Sequence, residues 1–453
     1  MSAPLTQRLR PARAHEGASA GIYAVCSAHE WVLEAAMRHA HQHDLPLLVE
    51  ATCNQVNQFG GYTGMSPADF TTYVHGIAKT AGFDPRDLIL GGDHLGPNPW
   101  RHLSAHQAMQ HAQDMVRAYA QAGFHKLHLD ASMTCADDVA PLDQATIAQR
   151  SAQLCAAAEA AHTTSPCVYV IGTEVPTPGG ATESLSSVQP TTPASAHQTV
   201  ALHQTAFEHA GVAQAWRRVI ALVVQPGVEF DHHAVIDYDR GPARGLCDSL
   251  QALSPLVFEA HSTDYQAPQA LRELVQDGFA ILKVGPALTF ALREGLEALT
   301  HIEAALLPEC QRSGLMTRLE RAMCADPQHW VSHYAGDAAE QALLRRYSLS
   351  DRSRYYWHDR DVQAAVKQLL AQLDAQDIPL GLLSQFMPEQ FKRVRQGRLP
   401  KRAKALVLDK IAQVLDDYAH ACNPTPLSLL SPSAPTPRAE PRPTNASPQG
   451  LTL

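Results

Sequence analysis

The strongest constraint on this chain is an eightfold alternation. Short β-branched and apolar runs recur at Gly21–Ala28, Pro46–Thr52, Leu88–His94, Lys126–Ser132, Cys167–Val175, Arg218–Gly227, Leu256–Thr263 and Phe279–Ala287. Ala-, Gln-, Leu- and His-rich stretches of helical character lie between them, such as Ser104–Gly123 and Asp143–His162. Continuous apolar runs belong to strands buried on both faces, as in a parallel sheet. Eight strand–helix units over roughly 290 residues predict a (β/α)8 TIM barrel, an α/β fold, across residues 19–307. The competing architecture is an open doubly wound sheet. It calls for a Gly-rich phosphate turn after the first strand, and no GxGxxG follows Gly21–Ala28. Residues 308–422 read as a helical C-terminal extension, with apolar residues at helical spacing in Asp359–Gln376 and Lys404–Ala421. Residues 1–18 read as a frayed lead-in. Residues 423–453 carry eight prolines among Ser, Thr and Ala, and read as a disordered tail.

Composition narrows the function. The 453 residues are 45% apolar and 18% charged, with a formal net charge of −9. That balance excludes disorder of the whole chain and argues against a nucleic-acid partner, which calls for a basic stripe. No apolar run reaches the roughly 18 residues of a membrane span, and the basic N-terminus has no apolar core of a secretory signal. The nine cysteines are scattered without a CxxC pair, as expected of reduced thiols in a cytoplasmic protein.

Barrel enzymes place their chemistry at the C-terminal ends of the strands. Here nearly every predicted strand ends in functional groups: Glu50 with Asn54 and Gln55; Asp93-His94; His128 and Asp130; Glu174; Gln225 with Glu229, Asp231 and His232; Glu259 and His261-Ser262-Thr263-Asp264; and Lys283. One such carboxylate is ordinarily a helix cap. Six or seven on one rim are costly to bury unless paired or metal-bound, so a pocket is expected there. His94, His261 and Glu174 form a candidate two-His, one-Glu set for a divalent metal, zinc or similar, with an open position for substrate. Asp93, Glu50, Asp130, Glu229 and Lys283 are the candidate catalytic groups. Asp93 is the expected base, and Lys283 reads more readily as an ion-pair partner than as a Schiff-base lysine. Asn54, Gln55, Gln225, Ser262 and Thr263 are candidate substrate contacts.

Two further features lie off the strand ends. The Phe59–Gly64 stretch, Phe-Gly-Gly-Tyr-Thr-Gly, suits a close backbone approach or a lid, and no Walker A lysine follows it. No nucleotide cofactor is expected. In the extension, the Arg345–Trp357 segment gathers four arginines, of which Arg346 and Arg352 are the candidate phosphate contacts. Of the 24 histidines, His39, His41, His43, His106 and His111 sit in helical stretches and read as carrying no chemistry.

The long motifs VEATCNQVNQFGGYTGMSPADF, LGGDHLGPNPW, KLHLDASM, YVIGTEVPTPGG, VVQPGVEFDH, EAHSTDYQ, ILKVGPALTFALRE and RYSLSDRSRYYW resemble the Z-subunit family of tagatose-1,6-bisphosphate aldolase, from about Gly21 to Cys422. The resemblance implies an accessory component that supports a catalytic class II aldolase Y-type subunit in galactitol and N-acetylgalactosamine catabolism. Some similar proteins are described as acting alone, as tagatose 6-phosphate 4-epimerases giving fructose 6-phosphate. A more distant likeness to class II aldolases implies Asp93 as base with His94 and His261 as metal ligands. The third aldolase histidine is replaced here by Glu174. The expected function is thus the Z-type component, with a free-standing, metal-dependent 4-epimerase as the alternative. The expected partners are a sugar phosphate and a Y-type subunit, and an oligomer is expected.

Overall fold

A computed structural model describes Leu5, Leu9 and residues 20–161, 165–175 and 188–423. The expected tail lies outside the described residues apart from Asn423, as do Pro176–Gly180 of the motif after the fifth strand.

Eight parallel strands close into a barrel. In chain order they are β1 (Ile22–Val25), β2 (Leu47–Thr52), β3 (Leu88–Leu95), β4 (Lys126–Leu129), β5 (Val168–Ile171), β6 (Val219–Val223), β9 (Val257–Ala260) and β10 (Phe279–Val284), with β1 pairing β10 to complete the ring. Each lies inside one of the predicted runs or overruns it by a residue. A short antiparallel ribbon, β7 (Glu229–Phe230) with β8 (Val235–Ile236), sits between β6 and β9 and has no counterpart in the sequence reading. Of the α-helices between the barrel strands, all but Pro268–Gln276 begin at a residue whose side chain caps the first turn. Ser66, for example, forms a capping box with Asp69 ahead of Pro67–Ala81.

The barrel interior divides into two halves. Its lower half is apolar: Ile22, Leu48, Ile89, Val168, Ile220 and Ile281 belong to one buried cluster. Leu5 and Leu9 join that cluster, 2% and 0% exposed, and the Leu9 N–H donates to the Leu5 carbonyl at 3.0 Å. Each apolar side chain there is removed from water. The upper half, toward the strand C-termini, is charged.

Beyond β10, the helix Pro286–Leu306 leads into six more α-helices and three short 3-10 turns through Cys422. The last helix, Ala403–Cys422, packs against the barrel helices Glu30–Gln42, Pro268–Gln276 and Pro286–Leu306. Its Cys422 carbonyl accepts the Gly21 N–H at 3.0 Å, and its Tyr418 hydroxyl donates to the Thr263 carbonyl at 2.7 Å. Among the described residues no helix is long and apolar enough to cross a membrane.

Two glycines of the third strand motif serve the upper half. A Cβ at Gly91 would stand 2.8 Å from Glu50 Cγ, so its absence makes room for a carboxylate inside the barrel. A Cβ at Gly96 would lie 1.6 Å from the Asp130 carbonyl oxygen, a backbone atom that cannot swing away. Gly96→Ala is therefore expected to destabilise the protein by about 3 kcal/mol or more. Gly381→Ala, in the exposed helix Leu380–Phe386 with open space around it, should instead stabilise by about 0.5–1 kcal/mol. Urea denaturation of both variants checks the contrast.

Candidate functional site

The centre of the upper half is Lys126, fully buried. Its Nζ lies 2.6 Å from Glu50 Oε1 and 2.7 Å from Glu259 Oε2. Lys283 pairs with Glu50 Oε2 and lies 2.8 Å from Asp93 Oδ1. Lys283 is thus held in ion pairs in this structure. These side chains share the interior because residues two apart on a strand point the same way. Lys126 and His128 belong to β4, and Glu259 and His261 bracket the end of β9.

Asp93 and His94 are adjacent, which in a regular strand would send them to opposite faces. The β3–β4 register shifts between Gly92 and Leu95, and His94 has a left-handed φ of 47°. This bulge lets both side chains line one cavity. Ser262, after β9, has φ 54° and lines the same cavity. Two left-handed non-glycine residues facing one hollow mark strain held at a functional site.

Three imidazoles meet there. The His94 ring lies 4.9 Å from that of His261 and 5.2 Å from that of His128. His94 Nδ1 lies 2.8 Å from Asp130 Oδ2, while Asp130 Oδ1 accepts the Ser132 N–H and hydroxyl. His261 Nε2 lies 3.0 Å from Glu259 Oε1, and His128 Nδ1 lies 3.1 Å from Asp93 Oδ1. Burial alone would raise the Asp93 carboxyl, but His94, His128 and His261 outweigh it and hold it well below the usual range. Burial disfavours the imidazolium of His94, yet Asp93, Asp130 and Glu259 overcome it and push His94 up to about 9. Burial lifts Asp264 to about 6 and Glu229 to about 7, against the backbone N–H groups each accepts.

Asp93, His128, Glu259 and His261 each offer one ligand atom, and the four atoms lie within 4.8 Å of one another. Two imidazoles and two carboxylates suit a divalent cation of the zinc type. His128 Nε2 is buried without a hydrogen-bond partner, while its Nδ1 lies 3.1 Å from Asp93 Oδ1 and 3.2 Å from the His94 backbone nitrogen. The donor set therefore fits a metal. It differs from the expected one. Glu174 is exposed and accepts from the Thr191 and Ser195 hydroxyls, so its carboxylate is committed to the start of the helix Pro193–His209. His94 stands beside the group, its Nε2 3.8 Å from Asp93 Oδ2, with Nδ1 engaged by Asp130.

The remaining expected residues divide. Asn54, Gln55 and Ser262 line the cavity. Thr263 lies behind it, its hydroxyl donating to the Lys283 carbonyl at 2.6 Å. Gln225 accepts the Gly227 and Val228 N–H groups and shapes a turn. Glu229 accepts the Phe230 N–H at 3.0 Å, next to the cavity-lining Phe230. The structure does not bring Arg346 to the cavity; it pairs with Glu297 on the helix Pro286–Leu306. Arg352 donates to the His329 carbonyl and lies over the Tyr355 ring. His232 ties the barrel to the extension through Ser350 and the His333 carbonyl.

The arginine that reaches the cavity is Arg354. Its guanidinium donates to the Ser350 and Asp351 carbonyls and to the Tyr355 hydroxyl, and no described carboxylate lies within ion-pair distance of it. It lines both the main cavity and an adjoining hollow with His29, Tyr73 and Thr289. Tyr62, held by the Gly-rich loop, packs edge-on against Tyr355 at 4.7 Å and lines both. The sequence reading assigned no role to Lys126, His128, Glu259, Asp264 or Arg354. Two-residue spacing along the strands was the available signal for the first three.

Fold and site together define a parallel (β/α)8 barrel with a buried acid–imidazole–lysine centre at its C-terminal rim. The chain belongs to the D-tagatose-1,6-bisphosphate aldolase subunit GatZ/KbaZ-like family, whose model matches residues 9–423. It is similar to a crystallised protein from Sinorhizobium meliloti 1021 described as a probable tagatose 6 phosphate kinase. The two are 51% identical over 89% of this chain and 100% of that one, with a TM-score of 0.83. Two remoter structures, the YdjI aldolase of Escherichia coli K12 and the fructuronate-tagaturonate epimerase UxaE of Cohnella laeviribosi, are each 12% identical. They align over 80% and 89% of this chain and 95% and 82% of their own, with TM-scores of 0.40 and 0.46, too distant to bear on function.

The raised Glu229 carboxyl has a pH signature. Between 4.5 and about 7 the folded state holds a proton that the unfolded chain has released, so stability falls as pH rises through that window. Glu229→Gln should match the wild type near pH 4 and exceed it by on the order of 1–3 kcal/mol near pH 8. Denaturant titrations at the two pH values check this.

Proposed function

We propose that this chain is a metal-dependent 4-epimerase of the tagatose 6-phosphate class, giving fructose 6-phosphate by retro-aldol cleavage and re-addition. The observation that carries the reading is the convergence of four metal-type donors beside an ionised Asp93 in one cavity. An accessory scaffold has no need of such a centre.

Asp93, His128, Glu259 and His261 would hold the cation. When bound, a divalent metal supplies Lewis-acid polarisation of a ketose carbonyl at C2. The protein's own groups do the rest. A base takes the proton of the C4 hydroxyl as the C3–C4 bond breaks, leaving an aldehyde at C4 and an enediolate over C1–C3. Asp93 is assigned as that base through Oδ2, which has only the longer contacts with Cys26 Sγ and His94 Nε2, each at 3.8 Å. Lys283 Nζ, 2.8 Å from Asp93 Oδ1, steadies the carboxylate. Rotation of the aldehyde within the closed cavity and attack by C3 on its other face reforms the bond with C4 inverted, and the proton returns to the new hydroxyl. No hydride leaves the sugar, so no nicotinamide is required. The phosphate end is assigned to Arg354, a half-buried cation without a carboxylate partner among the described residues, with Tyr62 and Tyr355 beside it.

A second reading is favoured by the family match over residues 9–423: a Z-type component that supports a Y-type aldolase subunit. The two readings separate in one set of assays. Under the first, the protein alone with tagatose 6-phosphate and a divalent metal forms fructose 6-phosphate. Asp93→Asn abolishes turnover, and Arg354→Gln raises KM by about 10- to 100-fold with the fold intact by circular dichroism. No product across several metals, together with a gain in activity and melting temperature of an added Y-type aldolase, would give the second reading the field.

A further inference from the structure

A second group of metal-type donors lies outside the barrel mouth, where the helix Glu30–Gln42 meets the final helix Ala403–Cys422. His39 and His43 stand four residues apart and project on one side of the first helix. Asp416 and His420 have the same spacing on the last. His39 Nε2 lies 3.0 Å from Asp416 Oδ1, and His43 Nε2 lies 4.0 Å from the same oxygen. The three ligand atoms of His39, His43 and Asp416 lie within 4.8 Å of one another. The His39 and His43 rings are 4.6 Å apart, and His420 stands one helical turn beyond Asp416 on the last helix.

Hydrogen bonding alone does not account for this arrangement. The His39–Asp416 contact is an ordinary hydrogen bond. The 4.0 Å approach of His43 is too long for one, and no other described group bonds the His43 ring. Tetrahedral ligands of a first-row divalent ion stand roughly 3.3 Å apart. Small side-chain rotations would bring the three atoms to that separation. The outer surroundings are also suited to it. The Tyr23 hydroxyl lies 3.5 Å from His39 Nδ1, and in accepting a proton from that atom it would leave Nε2 as the ligand. Arg393 Nη2 lies 3.0 Å from Asp416 Oδ2, orienting the carboxylate through the oxygen that the cation does not use. His420 Nδ1 lies 2.6 Å from the Asp416 carbonyl, which leaves its exposed Nε2 for coordination.

We propose that His39, His43, Asp416 and His420 form a second divalent-cation site, of the zinc or nickel type, that clamps the C-terminal helix to the first helix of the barrel. Three imidazoles and one carboxylate favour such borderline ions over calcium or magnesium. The clamped helix carries Tyr418, which bonds the Thr263 carbonyl behind the main cavity, so the cation would steady the rear wall of that cavity. This inference stands apart from the proposed function.

The full-length protein, stripped with a chelator and dialysed against micromolar free zinc, is compared with His43→Ala/His420→Ala, with the milder His43→Gln/His420→Gln, and with His261→Ala. The wild type should hold one more equivalent of zinc per chain than either double variant. Zinc should raise the melting temperature of the wild type and of His261→Ala by several degrees, with that rise lost in both double variants. Bound cobalt should show visible d–d bands of tetrahedral intensity that the double variants lack. Equal zinc content and an equal thermal shift in wild type and double variants would overturn the clamp. If His261→Ala instead holds as much zinc as the wild type while the double variants lose an equivalent, the clamp stands and the catalytic metal reading fails.

Discussion

Everything at the rim of this barrel depends on Lys126, a cation with no exposure to water held between two carboxylates. Burying one charge costs several kcal/mol, and the cost is met only when partners of opposite sign are in contact. Glu50 and Glu259 are those partners, and Lys283 closes the chain by pairing with Glu50 and Asp93. The geometry that permits this is a matter of register. Glu50 on β2 is paired with Gly91 on β3, the position where a side chain would collide with the carboxylate. Below this layer the interior is aliphatic. The barrel is thus an apolar plug supporting a charged floor, and the cavity lies on that floor.

That division explains what was legible in the sequence. The strands were visible because their lower halves are continuous apolar runs, and all eight lie where those runs predict. The rim was visible as a density of acids and imidazoles at the ends of the runs. What pairs with what was hidden. Glu174 looked like a ligand from its place after β5, but two hydroxyls from the next helix occupy it. Asp93 and His94, adjacent on β3, both reach the cavity through a bulge that no local pattern in the sequence announces. Lys126, His128, Glu259 and His261 had a readable signal, two-residue spacing, because an inward residue on a barrel strand implies inward residues two positions before and after it.

The arginine cluster shows a different limit. Arg345, Arg346, Arg352 and Arg354 are close in sequence, yet one pairs with Glu320, one with Glu297, one packs over Tyr355, and one lines the cavity. Which of them arrives is decided by the turn around Asp351, whose φ of 39° bends the chain before the 3-10 segment Arg352–Tyr355. No local pattern encodes that. The extension is nevertheless continuous with the site. It supplies Arg354 and Tyr355 at the front, and Tyr418 against Thr263 at the back.

The charged floor also bears on why the chain retains it. A buried ion network of this kind is often no more stable than well-packed aliphatic side chains of the same volume. A barrel whose task was only to present an outer surface would therefore gain nothing from Lys126, Glu50 and Glu259. The network makes sense where its field is used. His94, His128 and His261 hold Asp93 ionised in a place where burial alone would neutralise it, and Glu259 lies 3.0 Å from His261 Nε2 and fixes the orientation of its ring. Preorganised charge of this sort stabilises the movement of electrons in a reacting molecule and is of no use to a passive wall. That field is the physical basis on which we propose chemistry on a bound substrate for this barrel.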